Sequence, residues 1–253
     1  MPNKKGLVSI SFRQHSVEEV ARAARNAGLE AIEWGGDLHV PHGDREAAMY
    51  AAMISAKYGL SIAHYGSYYR IGYSDPELFS GVLESAKILG APIIRVWAGQ
   101  GIHPDTLSES DYWRIVEDAR RISDMAGDKI IATECHSDTL TERYEYTLKF
   151  LRDVGRENFK TLWQPNQHHG FEYDLEAAKA LLPHIVGVHV FNWVGDKPEK
   201  YPLRQNTEKW KSYMEILGQI ELNYMLEFMP DDKIDSLPRE AETLDRFIKE
   251  YLN

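Results

Sequence analysis

Residues 91–137 read APIIRVWAGQGIHPDTLSESDYWRIVEDARRISDMAGDKIIATECHS. Two short apolar runs, one from Ala91 and one from Asp128, have the length and composition of buried strands. Between them, residues 109–126 carry apolar side chains at helical spacing. A strand, a helix and a second strand in this order predict two parallel strands joined by a right-handed crossover.

The same unit repeats along the whole chain, and no low-complexity linker interrupts it. Glycine follows several of the predicted helices, as at Gly28, Gly59 and Gly90, where it can end a helix. Eight units of this length predict a single α/β domain over residues 1–253, a (β/α)8 TIM barrel. A doubly wound open sheet is the alternative, but no glycine-rich dinucleotide fingerprint follows the first strand. The eight apolar runs begin at Gly6, Leu29, Leu60, Ala91, Asp128, Phe159, Ile185 and Glu221.

The composition excludes several classes of partner. A net charge of -10 argues against a general nucleic-acid or anionic-membrane surface, since both need a basic footprint. The single cysteine, Cys135, cannot form an internal disulfide. The first residues show no long apolar segment or cleavage site, and no later segment has the length needed to span a bilayer. We therefore expect a cytoplasmic protein that binds neither nucleic acid nor membrane.

Polar side chains stand near the ends of the last four predicted strands. The carboxyl ends of barrel strands form the mouth that carries the active site, and alternate side chains point to the barrel interior. By this alternation, Glu134, Gln164, His189 and Glu227 are candidates to meet in the mouth. Two carboxylates, an imidazole and an amide oxygen suit one divalent metal ion, Mn²⁺, Mg²⁺, Co²⁺ or Zn²⁺.

Aromatic and imidazole side chains near the other strand ends are the predicted lining of the mouth. Such walls suit the apolar faces and hydroxyl edges of a sugar or polyol. Arg95 shares parity with Trp97, and it either neutralises Glu33 or binds an acidic group of the substrate. The predicted lining consists of Trp34, His39, His42, His64, Tyr65, Arg95, Trp97, His136, His168 and Trp193.

Several of these segments resemble the sugar phosphate isomerase/epimerase family, the xylose isomerase-like barrels that include tagatose epimerases, inosose dehydratases and endonuclease IV. The resemblance covers essentially the whole chain. It implies a metal held by Glu, Asp, His and Glu from strands five to eight, at the positions of Glu134, Gln164, His189 and Glu227. The matching segments are LEAIEWGGDLHVPHGD from Leu29, AHYGSYYRIG from Ala63, IIRVWAG from Ile93, TECHSDTLT from Thr133, VHVFNW from Val188 and LEF from Leu226.

The sixth strand departs from the family pattern. Where the family has Asp followed three residues later by His, this chain reads Gln164-Pro165-Asn166-Gln167. An amide oxygen can still coordinate a hard cation, but the site loses one negative charge, so we expect weaker metal binding or a different preferred ion. Either His168 takes the place of the missing histidine, shifted by one position, or that contact is absent.

By this resemblance, the metal binds a substrate carbonyl and an adjacent hydroxyl and stabilises an enediolate. Glu134 and Glu227 act as acid and base on opposite faces of the substrate. The predicted function is a metal-dependent isomerase or epimerase for a small sugar or keto-polyol. A dehydratase for a cyclic keto-polyol is the first alternative. The others are a phosphodiesterase like endonuclease IV, with His64 and His103 as extra ligands, and a non-catalytic binding protein.

Two further expectations concern phosphate and oligomerisation. The eighth strand is followed by residues 229–232, Met-Pro-Asp-Asp, and two carboxylates there would repel a phosphate group. In the seventh loop, the long loop after the seventh strand, three cations are either surface residues or ligands for phosphate or carboxylate: Lys197, Lys200 and Arg204. The aromatic side chains of Trp210 and Tyr213 either contact a second subunit in a homo-oligomer or are partly buried within one chain.

Overall fold

Eight parallel strands close into a barrel in the computed structural model, which describes residues 3–194 and 199–252. The first and last barrel strands pair with each other, with Lys4 opposite Asn223, and so close the sheet. Two short strands between the seventh and eighth barrel strands form a separate antiparallel pair. The barrel strands are β1 (Lys4–Val8), β2 (Ala31–Gly35), β3 (Ser61–Arg70), β4 (Ile93–Trp97), β5 (Ile130–Thr133), β6 (Phe159–Trp163), β7 (Ile185–Val190) and β10 (Asn223–Leu226), and the small pair is β8 (Trp193–Val194) and β9 (Glu199–Lys200).

Eight α-helices alternate with the barrel strands in the described ranges. The first helix begins with a capping box, because the backbone N–H of Glu19 donates to Ser16 Oγ and the backbone N–H of Ser16 donates to Glu19 Oε2. The (β/α)8 barrel predicted from the repeat is therefore confirmed. The helices are α1 (Val17–Asn26), α2 (Arg45–Lys57), α3 (Leu78–Leu89), α4 (Glu109–Ala126), α5 (Tyr144–Val154), α6 (Phe171–Leu181), α7 (Thr207–Leu217) and α8 (Leu237–Tyr251). None of those in the described ranges is long and apolar enough to cross a membrane.

The larger part of the apolar core lies between the strands and the helices. Trp210 and Tyr213 of α7 are buried in this layer, where both pack edge-on against Trp163 of β6. Of the two alternatives given for these residues, the structure shows burial within one chain. Their aromatic rings are used to dock α7 on the barrel.

The seventh loop holds the three cations considered for phosphate. Lys197 lies outside the described residues. Lys200 pairs with Asp232 and stands over the ring of Phe228, and Arg204 is exposed at the start of α7. Asp232, which follows the last strand, thus already neutralises Lys200.

The barrel interior depends on a close approach at Gly187 in β7. A Cβ atom at this position would lie 2.6 Å from Cε1 and 2.7 Å from Nε2 of His64, and 3.0 Å from Leu162. Because both neighbours are fully or almost fully buried, neither can move aside into solvent. Glycine at position 187 therefore makes room for the imidazole of His64.

We expect Gly187→Ala to lower the free energy of unfolding by about 1–3 kcal/mol, because the added methyl group overpacks the interior. Urea denaturation followed by circular dichroism measures this change. Gly170→Ala is the matched control, since a Cβ there meets nothing within 4 Å. Equal stability of the two variants would contradict the close packing of His64 against β7.

Candidate metal centre

Four polar side chains converge at the carboxyl ends of β5, β6, β7 and β10. Glu134, Gln164 and Glu227 each lie just beyond the end of a strand, and His189 lies within β7. Nδ1 of His189 is 3.2 Å from Oε1 of Gln164, 3.6 Å from Oε1 of Glu134 and 3.5 Å from Oε2 of Glu227. The four candidate ligands named from the sequence thus meet around one ring nitrogen.

Hydrogen bonds from outside the group orient Gln164 and His189. Nε2 of Gln164 donates to the backbone oxygen of Cys135 at 2.7 Å, so the amide oxygen faces His189. Nε2 of His189 lies 3.0 Å from Oε2 of Glu33, and a carboxylate in that position accepts the N–H of the neutral ring. The lone pair of Nδ1 then faces three oxygen acceptors. Nδ1 and these three oxygens are four hydrogen-bond acceptors with no hydrogen-bond donor among them. Such a group of atoms suits the coordination of a cation.

The buried charges also fit a divalent ion. Three carboxylates, those of Glu33, Glu134 and Glu227, surround this centre, and among the described residues the guanidinium bonded to them belongs to Arg95. With neutral imidazoles, this leaves two formal negative charges in a buried site. One divalent cation would balance them, whereas an uncompensated buried charge is costly.

In the metal-free protein, a proton on His189 balances part of this buried negative charge. Burial by itself lowers the pKa of His189, but the carboxylates of Glu227 and Glu33 and hydrogen bonds with Glu134 and Glu227 raise it well above its ordinary value. Burial raises the pKa of Glu134, but the charge of Arg95 and the contacts with His189 outweigh it and lower the pKa to about 2. Both shifts mark a centre that favours positive charge.

A second group lies deeper in the barrel, around Glu33 of β2. Its Oε2 accepts from Nδ1 of His64 at 2.9 Å as well as from His189, and its Oε1 accepts from Nε of Arg95 at 2.7 Å. Glu33, His64 and His189 are close enough together to resemble a metal site. The guanidinium already supplies the positive charge there, and both imidazoles point at the same oxygen. A second cation does not fit this group.

An aromatic wall stands beside the centre at the mouth. Nε1 of Trp97 donates to Oε2 of Glu134 at 2.5 Å, and the Trp97 ring packs against His136 and Tyr68, with centroids 4.4 Å and 5.2 Å away. Across the mouth, Trp193 packs on Phe228, the residue after Glu227. The positions of Trp97, His136 and Trp193 are compatible with the predicted lining.

The exposed residue His168 occupies the rim of the mouth. Its backbone N–H donates to Oδ1 of Asn166, and the residue borders a small pocket together with His136 and Gln164. The structure thus brings His168 near the centre, while Gln164 is the residue from this segment that faces His189.

Four residues of the predicted lining do not face the mouth. Trp34 points into the helix layer, where Nε1 donates to Ser55 of α2, and Tyr65 donates to the backbone of Val40. Both ring nitrogens of His39 are used, one with Ser9 Oγ and one with the backbone oxygen of His15. His64 is fully buried beneath the centre. The structure therefore does not bring these four predicted lining residues to the centre, because local hydrogen bonds and strand parity direct their side chains elsewhere.

Arg95 is also fully buried, with Nε on Glu33 and Nη1 on Glu134. Of the two roles considered for it, the structure supports the neutralisation of Glu33. Gly66 of β3 provides space for this pair, since a Cβ there would lie 2.5 Å from Nη2 of Arg95 and 2.6 Å from Oε1 of Glu33.

The sequence reasoning missed Glu33 as a member of the site, along with Tyr68 and Phe228. Strand parity could have drawn attention to Glu33, because the side chains of Glu33 and its neighbour Trp34 must point to opposite faces of the sheet. Tyr68 and Phe228 adopt positive φ angles of 58° and 50°, which nothing in the sequence pattern predicts.

Comparisons with known proteins address the fold and the family. Among solved structures, the probable 3-DHS dehydratase AsbF of Bacillus anthracis superposes with a TM-score of 0.81 at 20% identity, covering 96% of this chain and 98% of that chain. The D-allulose 3-epimerase of Methylomonas sp. superposes with a TM-score of 0.73 at 16% identity, covering 97% and 98%. A xylose isomerase domain protein of Planctomyces limnophilus gives 0.73 at 16% identity, covering 91% and 92%. At these identities the similarity establishes the fold alone.

Among curated proteins, none matches this chain significantly. The family comparison is positive, because the model described as xylose isomerase-like TIM barrel matches residues 21–250. This match includes His189, the three residues that converge on its Nδ1 and the Glu33 group beneath them. The chain therefore belongs to the xylose isomerase-like TIM barrel family.

Proposed function

We propose that this protein is a divalent-metal-dependent isomerase or epimerase that acts on a small sugar or keto-polyol. The observation that carries the proposal is the convergence of two carboxylates and an amide oxygen on Nδ1 of a fully buried histidine, His189. Such a group of acceptors stabilises a cation and, at the mouth of a barrel, lies where substrates bind.

Glu134, Gln164, His189 and Glu227 are the residues that would hold the ion. A mixed set of oxygen and nitrogen donors suits Mn²⁺, Mg²⁺, Co²⁺ or Zn²⁺. The bound ion would supply positive charge that stabilises the negative charge developing on the substrate oxygens. The remaining chemistry falls to the side chains of the chain itself.

The two glutamates are placed to move protons at the substrate carbon next to the carbonyl. Glu134 and Glu227 come from β5 and β10, which are separated around the barrel by β6 and β7. Oε2 of Glu134 is held by Arg95 and Trp97, so Oε1 is the oxygen turned toward the centre. One glutamate removes the proton and the other returns a proton, and the product is then an isomer of the substrate.

The wall of the mouth favours a neutral substrate. The rings of Trp97 and Trp193 can cover the apolar faces of a sugar. The charge of Arg95 is already used by two carboxylates, and Asp232 takes up that of Lys200. Neither Arg95 nor Lys200 is therefore left to bind a phosphate group, which supports an unphosphorylated substrate.

A dehydratase for a cyclic keto-polyol is the second candidate. The two glutamates are not equivalent, because Glu134 is bonded to a guanidinium and an indole N–H and is therefore a poor proton donor. An epimerase needs each glutamate to give a proton in one direction of the reaction. A dehydratase needs one base to remove a proton and a separate acid for the departing hydroxyl, which suits unequal glutamates. The solved neighbours carry names from both classes.

Product analysis separates these two candidates. We expect the protein loaded with Mn²⁺ to convert a keto-sugar from a panel of ketohexoses and ketopentoses into an isomer of unchanged mass, detected by NMR and mass spectrometry. A product lighter by one water, with new ultraviolet absorption from an enone, identifies a dehydratase instead. The panel therefore includes cyclic keto-polyols, and protein treated with a chelator is the control. If the loaded protein converts none of these compounds, the proposal fails.

A further inference from the structure

We infer that Glu33 is the positioning residue of the metal centre: from beneath it, one buried carboxylate orients His189 directly and Glu134 through Arg95. This inference rests on the proposed function, because it assigns a role relative to the metal ligands. In this role, Glu33 touches neither the ion nor the substrate.

The direct branch runs from Glu33 to His189. Both side chains are fully buried, and Oε2 of Glu33 lies 3.0 Å from Nε2 of the ring. An acceptor at this distance holds the ring proton on Nε2 and fixes the rotation of the ring. Nδ1, on the opposite side of the ring, is thereby left with its lone pair toward the centre.

The indirect branch runs through Arg95. Its Nε donates to Oε1 of Glu33 at 2.7 Å, and its Nη1 donates to Oε2 of Glu134. A guanidinium is planar and rigid, so fixing one edge also fixes the direction of the other N–H groups. Arg95 therefore takes one oxygen of Glu134 and leaves Oε1 to face Nδ1 of His189 at 3.6 Å.

Depth in the barrel separates Glu33 from the catalytic residues. Glu134 and Glu227 each keep 4% of their surface exposed, whereas Glu33 and His64 keep none. The oxygens of Glu33 are already bonded to three donors, in Arg95, His64 and His189. Glu33 has no free path to the mouth and acts through the residues that it holds.

Glu33→Gln tests the inference. The two oxygens of Glu33 now accept from three donors, whereas glutamine at this position has one oxygen. The NH₂ group of glutamine cannot accept the N–H of His189 and would disturb the tautomer of this ring. By calorimetric titration, we expect the dissociation constant for Mn²⁺ to rise about 10–100-fold, the usual effect of losing a partner of a metal-binding histidine. Rescue by Glu33→Asp, even in part, would support the need for a carboxylate.

The matched control is Glu240→Gln in α8. Glu240 is also a buried glutamate, with 3% exposure, and accepts from the backbone N–H of Leu203 at 2.7 Å. We expect this variant to bind Mn²⁺ as the unchanged protein does. Denaturation of each variant in chelator measures any structural effect separately. A Glu33→Gln protein that folds and binds Mn²⁺ with an unchanged dissociation constant would overturn the inference.

A second measurement needs no variant at position 33. With ¹⁵N-labelled histidine and bound Mg²⁺, two-bond proton–nitrogen spectra report which ring nitrogen of His189 carries the proton, and the signal is identified by its loss in His189→Gln. We expect protonation on Nε2, and protonation on Nδ1 would overturn the inference. If the unchanged protein bound no divalent ion at all, the proposed function would fail as well. If it bound Mn²⁺ and converted substrate while Glu33→Gln bound equally well, only the role of Glu33 would fail.

Discussion

Glu134→Gln and Glu227→Gln are each expected to lower turnover by more than ~100-fold, while the protein remains folded. Glutamine keeps the size of the side chain and one oxygen for the metal, but it can neither take nor give a proton in the required pH range. The loss should appear in kcat, measured on the substrate found in the product screen at saturating Mn²⁺.

The two variants are not expected to behave alike in every respect. Glu134→Gln also removes a charged partner of the buried Arg95, so its free energy of unfolding should fall more than that of Glu227→Gln. Glu240→Gln again serves as the control and should retain full activity. Near-normal turnover in either glutamate variant, with Mn²⁺ bound, would remove that residue from the acid–base pair.

The barrel could be predicted from the sequence because the patterns that mark its strands and helices each lie within a short segment of the chain. Helix α4 begins at Glu109 and ends at Ala126, as the helical spacing predicts. The capping box at Ser16 and the glycine after α3 mark helix ends through hydrogen bonds within a few residues. Eight repeats of the same unit then leave few topologies, since crossovers between parallel strands are right-handed.

The four candidate ligands could be predicted for a different reason. Glu134, Gln164, His189 and Glu227 stand at the same place in four successive units, and a barrel brings equivalent places together. Whether the amide oxygen of Gln164 faces inward could not be predicted. That orientation depends on the backbone oxygen of Cys135, which accepts the amide N–H.

The side chains that do not reach the centre are those whose direction is set by partners distant in the sequence. Trp34 follows Glu33 in β2, and the register between β2 and β3 shifts beside Glu33. Inward space at this level is taken by the Glu33 group, and the indole finds its partner, Ser55, in the helix layer. Strand parity shows that one of Glu33 and Trp34 faces the barrel interior, but it does not show which one. The contacts of Glu33 with Arg95 and His64, which come from other strands, decide this.

Removal of the metal ion is expected to destabilise the protein and abolish activity. A ligand present at 100 times its dissociation constant stabilises the folded state by about 2.7 kcal/mol. For a chain of this size, that corresponds to a fall in Tm of about 5–10 °C after chelation. Differential scanning calorimetry with and without chelator measures it, and adding back Mn²⁺ should restore both Tm and turnover. An unchanged Tm and full activity in chelator would contradict the metal centre.

The same experiment has a pH dependence that follows from His189. In the metal-free chain, burial lowers the pKa of His189, but the carboxylates of Glu227 and Glu33 raise it well above its ordinary value. A pKa raised on folding contributes stability at low pH, and this contribution is lost as pH rises through the folded-state pKa. The metal-free protein should therefore lose stability as pH increases above neutral, while a bound ion replaces the proton. We expect the difference in Tm between loaded and metal-free protein to widen as pH rises above neutral.

Proton release provides an independent check on this exchange. If the ion displaces the proton on Nδ1 of His189, binding releases up to about one proton near neutral pH. Titration calorimetry in two buffers with different ionisation enthalpies measures the number released. His189→Gln should abolish the release, whereas His103→Gln, at an exposed side chain that stands 4.0 Å from Asp138, should leave it unchanged. Binding without proton release at neutral pH would mean that the ion does not take its place at Nδ1, because the two carboxylates beside that nitrogen otherwise hold a proton there.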